Sequence, residues 1–315
     1  MIAVVGAGAF GTALAVALAA NGPVRLWARS PGAMAQTRQS PRLPEIALPE
    51  AIEITGDLAD LHGDDLLLAV PMQSLRALLP DLSALKPRHA IAACKGIDLT
   101  TLQTPTDLIA DGLPGTVPAL LSGPSFAADI ARGLPTALSL ACADAAAGIH
   151  LQTQLSTPTL RLYRSTDTTG VALGGALKNV VAIACGAAIG AGLGESARAA
   201  LMTRGMAEMT RLSAALGADP ATLMGLSGLG DLALTCASPQ SRNFALGHAL
   251  GQGATPPDAT TEGVATARAA LRLGAQHDID LPVTHATAGL VDGTLTIQTA
   301  IQGLLARDLT TETTR

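Results

Sequence analysis

Residues 2–20 read IAVVGAGAFGTALAVALAA, and this stretch decides the fold of the first half of the chain. Ile2 to Val5 make a short apolar strand, Gly6, Gly8 and Gly11 follow at G-x-G-x-x-G spacing, and an alanine-rich helix runs to about Ala20. The first glycine permits a tight turn, the second lets backbone approach a pyrophosphate, and the third lets helix pack closely on strand. The helix N-terminus then faces the phosphates. A glycine-rich turn without a ligand is the plain alternative, and the strand before and helix after favour dinucleotide binding.

The same stretch is about as long as a membrane span and could pass for the apolar part of a signal segment. Three glycines at turn spacing interrupt it, no Lys or Arg precedes it, and Val24 to Trp27 resume as a second strand. No stable membrane insertion is expected. An NAD-selective site usually ends that second strand with Asp or Glu for the ribose 2′-hydroxyl. Here the first acidic residue of the chain is Glu45, and Arg29 and Ser30 stand where the acid would be. Arg29 suits a 2′-phosphate, so the expectation is NADP(H), with NAD(H) tolerated; a solvated Arg is the alternative.

Composition sets further bounds. A chain of 315 residues, 48% hydrophobic, can bury a large core and divides into two domains, 1–168 and 169–315. A net charge of -5 without a basic run argues against a nucleic-acid partner. Cys94, Cys142, Cys185 and Cys236 are far apart, which argues against a disulfide framework or zinc site and for a reducing cytoplasm. The 6 His show no HxxxH or HExxH arrangement, and no metal site is expected. A homodimer is an expectation that no residue pattern fixes.

Strand signals continue at Ile52–Thr55, Asp64–Val70 and His89–Cys94, then at Ala119–Ser122 and Thr136–Leu140, the last expected to close the sheet. Pro41 to Pro49 read as a proline-rich connection, and a helix is expected from about Ser74. Alternating strands and helices imply a Rossmann-like, doubly wound parallel sheet. From about Thr169, long Ala, Leu and Gly stretches predict an all-α second domain. Within it Asp219-Pro220 opens a helix, Pro256-Pro257 marks a loop, and Glu262 to Leu273 is a helix ended by Gly274.

Only Lys86, Lys95 and Lys178 are lysines, so a retained lysine is informative: Arg cannot release a proton, whereas a buried Lys can. Lys178 lies in the apolar run GGALKNVVAIACG, where a desolvated amine suits general acid–base chemistry beside a nicotinamide; a stem snorkelling to water is the alternative. Lys95 ends a strand, at the edge where open parallel sheets bind ligands. Asp231 follows a glycine turn and either faces Lys178 or caps a helix. Ser241-Arg242-Asn243 offers donors for a small phosphate or carboxylate, with a solvated loop as the alternative. Thr260-Thr261-Glu262-Gly263 has helix-capping chemistry, and on spacing alone a ligand role for Glu262 is the weaker reading.

Taken in order, GAGAFGTALA, LWAR, AVPMQSLR, CKGID, LSGPSFA, GALKNVVAIACG, GLSGLGDLALTC, SRNFALG and TEGVATA resemble soluble, bacterial-type NAD(P)-dependent glycerol-3-phosphate dehydrogenases. The resemblance covers nearly the whole chain. It implies reduction of dihydroxyacetone phosphate to sn-glycerol 3-phosphate for phospholipid synthesis, with Lys178 exchanging the proton at the C2 oxygen. It further implies that Lys95 contacts substrate and cofactor, that Gly123 and Ser125 line the substrate site, and that Asp231 supports the catalytic centre. Ser241, Arg242 and Asn243 would bind the substrate, Arg242 touching cofactor as well. Ala9, Phe10, Arg29, Ala127, Thr260 and Glu262 match cofactor positions.

Three departures from the family pattern stand out: Ala172 where an acid is usual, Glu195-Ser196 where Asp-Asn is usual, and Thr260-Thr261 in place of an apolar pair. These changes could shift affinity or cofactor choice. The alternatives to this reading are an NADP-dependent hydroxy-acid dehydrogenase of related architecture and a non-catalytic NADP(H)-sensing protein. Lys95, Lys178 and Asp231 argue against the sensor, and SRN with GALKN favours a phosphorylated three-carbon substrate.

Overall fold

The computed structural model describes residues 1–256 and 261–306. The chain forms two compact units, one comprising residues 1–95 and 103–172, the other residues 96–102 and those from 173 onward.

The first unit is built on an eight-stranded sheet. Its first half contains β1 (Ile2–Val5), α1 (Ala9–Leu18), β2 (Val24–Trp27), α2 (Gly32–Thr37), β3 (Gln39–Ser40), β4 (Leu43–Ala47) and β5 (Ile52–Thr55). Then come β6 (Asp65–Leu68), α3 (Met72–Ser83), β7 (His89–Ala92), α4 (Pro105–Gly112), β8 (Val117–Ser122), α5 (Ala127–Ala131), β9 (Thr136–Ala141), α6 (Ala145–Leu155) and β10 (Leu160–Ser165). The strand order β10-β9-β8-β7-β6-β1-β2-β5 puts β1 where the winding reverses, so the carboxyl end of β1 opens on the switch-point crevice. β1 and β7 are buried at every residue, which explains why they are continuous apolar runs rather than alternating ones.

The sheet departs from the expected pattern at one edge. Thr136–Ala141 does not close it; β10 pairs outside β9, and β9 runs antiparallel to β8. β10 alternates, with Leu160 and Leu162 buried and Arg161 and Tyr163 exposed, as an edge strand with one wet face should. The proline-rich stretch holds the small antiparallel pair β3–β4; an exposed strand in a two-stranded ribbon tolerates Pro44.

The second unit is helical: it holds the greater part of α7 (Thr168–Gly190), then α8 (Gly194–Ala215), α9 (Pro220–Leu223), a π-helical turn at Leu226–Gly230, α10 (Asp231–Ala237), α11 (Arg242–Gly251), α12 (Glu262–Gln276), α13 (Pro282–Val291) and α14 (Ile297–Leu305). Among the described residues α7 is long and apolar enough to cross a bilayer, yet 94% of its most apolar stretch is buried inside the protein, as in a core helix.

Glycine makes that core possible. Gly186 and Gly190 on α7 face Gly247 and Gly251 on α11, four residues apart on each helix. A Cβ at Gly247 would lie 1.9 Å from the Ile183 carbonyl oxygen, and one at Gly186 2.1 Å from that of Phe244. The two backbones therefore cross in direct contact, which only glycine permits. Gly274 is likewise a packing glycine and does not end its helix: α12 continues to Gln276, and a Cβ at Gly274 would lie 2.9 Å from the Ile279 carbonyl oxygen.

Candidate active site

In the first unit the turn after β1 is shaped as the glycine spacing requires. Gly6 has φ +113°, and a Cβ there would meet the Ala69 carbonyl oxygen at 2.7 Å. A Cβ at Gly11 would meet the Gly6 oxygen at 2.0 Å, so the start of α1 presses directly on the turn. Gly8 is different: nothing lies within 4 Å of its would-be Cβ, and it precedes α1 without a side-chain cap. The first amides of α1, including those of Ala9 and Phe10, are thus left for an outside acceptor. This open cradle fits the pyrophosphate of a dinucleotide. Arg29 is exposed just beyond β2 and makes no hydrogen bond or ion pair among the described residues.

A second cluster of the same unit centres on the Gly123 carbonyl, at the carboxyl end of β8. The half-buried Lys95 Nζ donates to it at 2.9 Å and the Ser125 hydroxyl at 3.1 Å. Gly123 adopts φ +148°, and a Cβ there would press on Leu138 Cα at 3.2 Å, so the strand ends in a conformation that favours glycine. Ala127 begins α5 just beyond.

In the second unit Lys178 and Asp231 meet. Lys178 Nζ stands 3.0 Å from Asp231 Oδ1 and donates to Thr235 Oγ1 at 2.6 Å, while the Thr235 hydroxyl donates to Asp231 Oδ1 at 3.1 Å. The Lys178 side chain is 8% exposed and that of Asp231 1%. Snorkelling to water is therefore excluded, and Asp231 turns to the ammonium as the first residue of α10. The adjacent π-helical turn explains how: Gly228 packs on the Leu223 carbonyl, where a Cβ would sit 1.9 Å away, and Gly174 packs on Ser227. Next to Thr235, the Cys236 thiol is pushed well up from its ordinary range, first by its hydrogen bond with Cys185 and then by burial, so it remains neutral.

One residue along α7, Asn179 accepts from Asn243 Nδ2 at 2.9 Å, and Asn243 Oδ1 receives the Gly263 amide at 3.0 Å. This buried network was not legible in the sequence. Asn243 ties α11 to α7 and α12, while Ser241 caps α11 by accepting from the Phe244 amide. Ser241-Arg242-Asn243 is thus a helix start rather than a solvated loop, with Arg242 exposed upon it. Glu262 opens α12, whose N-terminal Thr261 makes no side-chain cap, and Thr260 lies outside the described residues, as does Pro257. Of the departures, Ala172 is buried in the apolar core of the first unit, and Glu195 and Ser196 are exposed at the start of α8, with Glu195 paired to Arg198.

Comparison with known proteins identifies the family of the chain. Residues 1–148 match the family model of the NAD-dependent glycerol-3-phosphate dehydrogenase N-terminus, and residues 167–302 that of its C-terminus. A glycerol-3-phosphate dehydrogenase [NAD(P)+] of Cereibacter sphaeroides is 58% identical over 99% of this chain and 100% of its own length. The protein of the same description from Paracoccus denitrificans is 55% identical, with 99% of each chain covered. Among solved structures, glycerol-3-phosphate dehydrogenase from Coxiella burnetii superposes with a TM-score of 0.92 at 37% identity, over 97% of this chain and 98% of its own.

Proposed function

The chain belongs to the NAD-dependent glycerol-3-phosphate dehydrogenase family, and from that premise we propose how its residues divide the work of interconverting dihydroxyacetone phosphate and sn-glycerol 3-phosphate. The observation that carries the proposal is the buried group Lys178, Asp231 and Thr235. When bound, NAD(P)H supplies the hydride for C2 of the substrate. Lys178 supplies the proton: its ammonium donates to the C2 oxygen as negative charge develops there, and the resulting amine recovers a proton from solvent. In the oxidative direction the amine accepts the same proton. Asp231 balances the ammonium in a water-poor setting and, with Thr235, fixes the direction in which Nζ points.

Lys95 and Ser125, gathered on the Gly123 carbonyl, are assigned to the substrate oxygens. The phosphate is assigned to the start of α11, where the Arg242 guanidinium and the first-turn amides combine charge with directed donors. Asn243 acts by holding that helix start in place, because its side chain is engaged with Asn179 and Gly263. Arg29 at the end of β2 supports a preference for NADP(H) over NAD(H). The four cysteines are free and buried, which fits a reducing cytoplasm.

The test is substrate choice. Purified protein should consume NADPH with dihydroxyacetone phosphate and leave dihydroxyacetone and 2-oxo acids essentially untouched. Equal turnover of the unphosphorylated ketone would refute the phosphate assignment.

A further inference from the structure

Outside this chemistry, one cluster stands at the other edge of the first unit's sheet, where β6 and β7 begin. We propose that Asp65, His89 and His150 form a binding site for a divalent transition-metal ion of the zinc type. Leu66 lies beside Ala90 in the parallel register, so the residues entering the two strands, Asp65 and His89, are neighbours. Asp65 Oδ1 and His89 Nδ1 are 2.8 Å apart. α6 brings the third group: His150 Nε2 lies 4.0 Å from Asp65 Oδ2, and its ring centroid is 5.4 Å from that of His89.

One donor atom from each residue falls within 4.8 Å of the other two. A tetrahedral ion with bonds of about 2.0–2.2 Å spaces its ligands about 3.3–3.6 Å apart, inside that range, so small side-chain rotations suffice. Two imidazoles and one carboxylate suit zinc, cobalt, nickel or copper, whereas magnesium and calcium favour oxygen alone. His89 and Asp65 are 6% and 12% exposed, and His150 is 55% exposed. The group therefore has two fixed ligands in the sheet, one at the surface, and an open side for a water as fourth ligand. On binding, the ion takes the place of the proton between His89 Nδ1 and Asp65, and that proton moves to the other ring nitrogen. The ion then ties α6 to β6 and β7.

The experiment is a titration of untagged full-length protein with Co2+ at neutral pH, followed by its visible ligand-field absorption. Saturation is expected at about one equivalent, with displacement by Zn2+ and indifference to Mg2+. Loss of an outer-sphere partner costs about 10- to 100-fold in metal affinity, so His150→Ala, which removes a direct ligand, should weaken Co2+ by about 100-fold or more. Asp65→Asn should do the same. His150→Ala changes a surface side chain and should retain wild-type turnover, which shows that it is folded. In the wild type alone, Zn2+ should raise the unfolding temperature reported by Trp27, the chain's single Trp, which lies in this unit. Failure of the wild type to saturate, or an unchanged titration in His150→Ala, would overturn the proposal.

Discussion

Replacing Asp231 by Asn removes a negative charge 3.0 Å from the Lys178 ammonium while keeping the side chain's size and an acceptor oxygen for Thr235. At that separation and an effective dielectric of about 20, the lost attraction is about 5.5 kcal/mol. Part of it is offset because the pair no longer has to be desolvated together, and breaking a buried pair from one side costs about 3–5 kcal/mol overall. Lys178→Met alone should cost a similar amount, since it strands a carboxylate that is 1% exposed. The double variant Lys178→Met/Asp231→Asn strands neither charge, so it should be no less stable than the worse single variant. The coupling energy is then at least about 3–5 kcal/mol. Urea unfolding of the four proteins, followed by helical circular dichroism, measures it. Single-variant losses that add to within about 0.5 kcal/mol would show the two groups to be uncoupled.

Gly247→Ala places a Cβ 1.9 Å from the Ile183 carbonyl oxygen and should cost about 3 kcal/mol or more by denaturant melt, whereas Gly303→Ala, with nothing within 4 Å on α14, should stabilise by about 0.5–1 kcal/mol. Glu208 is held above the ordinary carboxyl value by burial, despite accepting from the Val283 and Thr284 amides and the Thr284 hydroxyl. Because the folded protein holds this proton more tightly than the unfolded chain, its contribution to stability is full below the unfolded carboxyl value and is lost as pH rises through the raised folded one. Subtracting the Glu208→Gln melting temperature from that of wild type should give a difference that shrinks over that rise. Arg29→Ala should raise the Michaelis constant for NADPH by about 10- to 100-fold, the worth of a charge-assisted contact of about 1.5–3 kcal/mol, and leave that for NADH nearly unchanged. Equal changes for both cofactors would remove Arg29 from the 2′-phosphate.

What could be read from the chain beforehand was what is local. The β1–α1 turn is local because Gly6 and Gly11 answer contacts within a few residues or at the end of one neighbouring strand, and Lys178 stood out because lysine is so scarce. β10 was missed because its Leu-Arg-Leu-Tyr alternation belongs to a half-wet edge strand, whereas central strands such as β1 and β7 are solid apolar runs. The roles of Thr235 and Asn179, and the pairing of Asn243 with Asn179, escaped for another reason. Their partners lie 57 and 64 residues away in sequence, and an amide or hydroxyl on a helix gives no periodic signal of such a pairing. The glycine crossing of α7 and α11 was hidden by a chain-wide excess of Gly and Ala, in which two four-residue spacings do not stand out. Asp65, His89 and His150 come from two strands and a helix, so no HxxxH spacing announces them.

In the proposed division of work Lys178 moves the proton while other residues hold the reactants. Lys178→Met, mixed with NADPH and dihydroxyacetone phosphate, tests it by the loss of nicotinamide absorbance, with NADPH binding measured separately by fluorescence. The variant should bind NADPH as the wild type does and turn over at least about 100-fold more slowly, the lower range for a positioned acid or base. Turnover within a few-fold of wild type would contradict it.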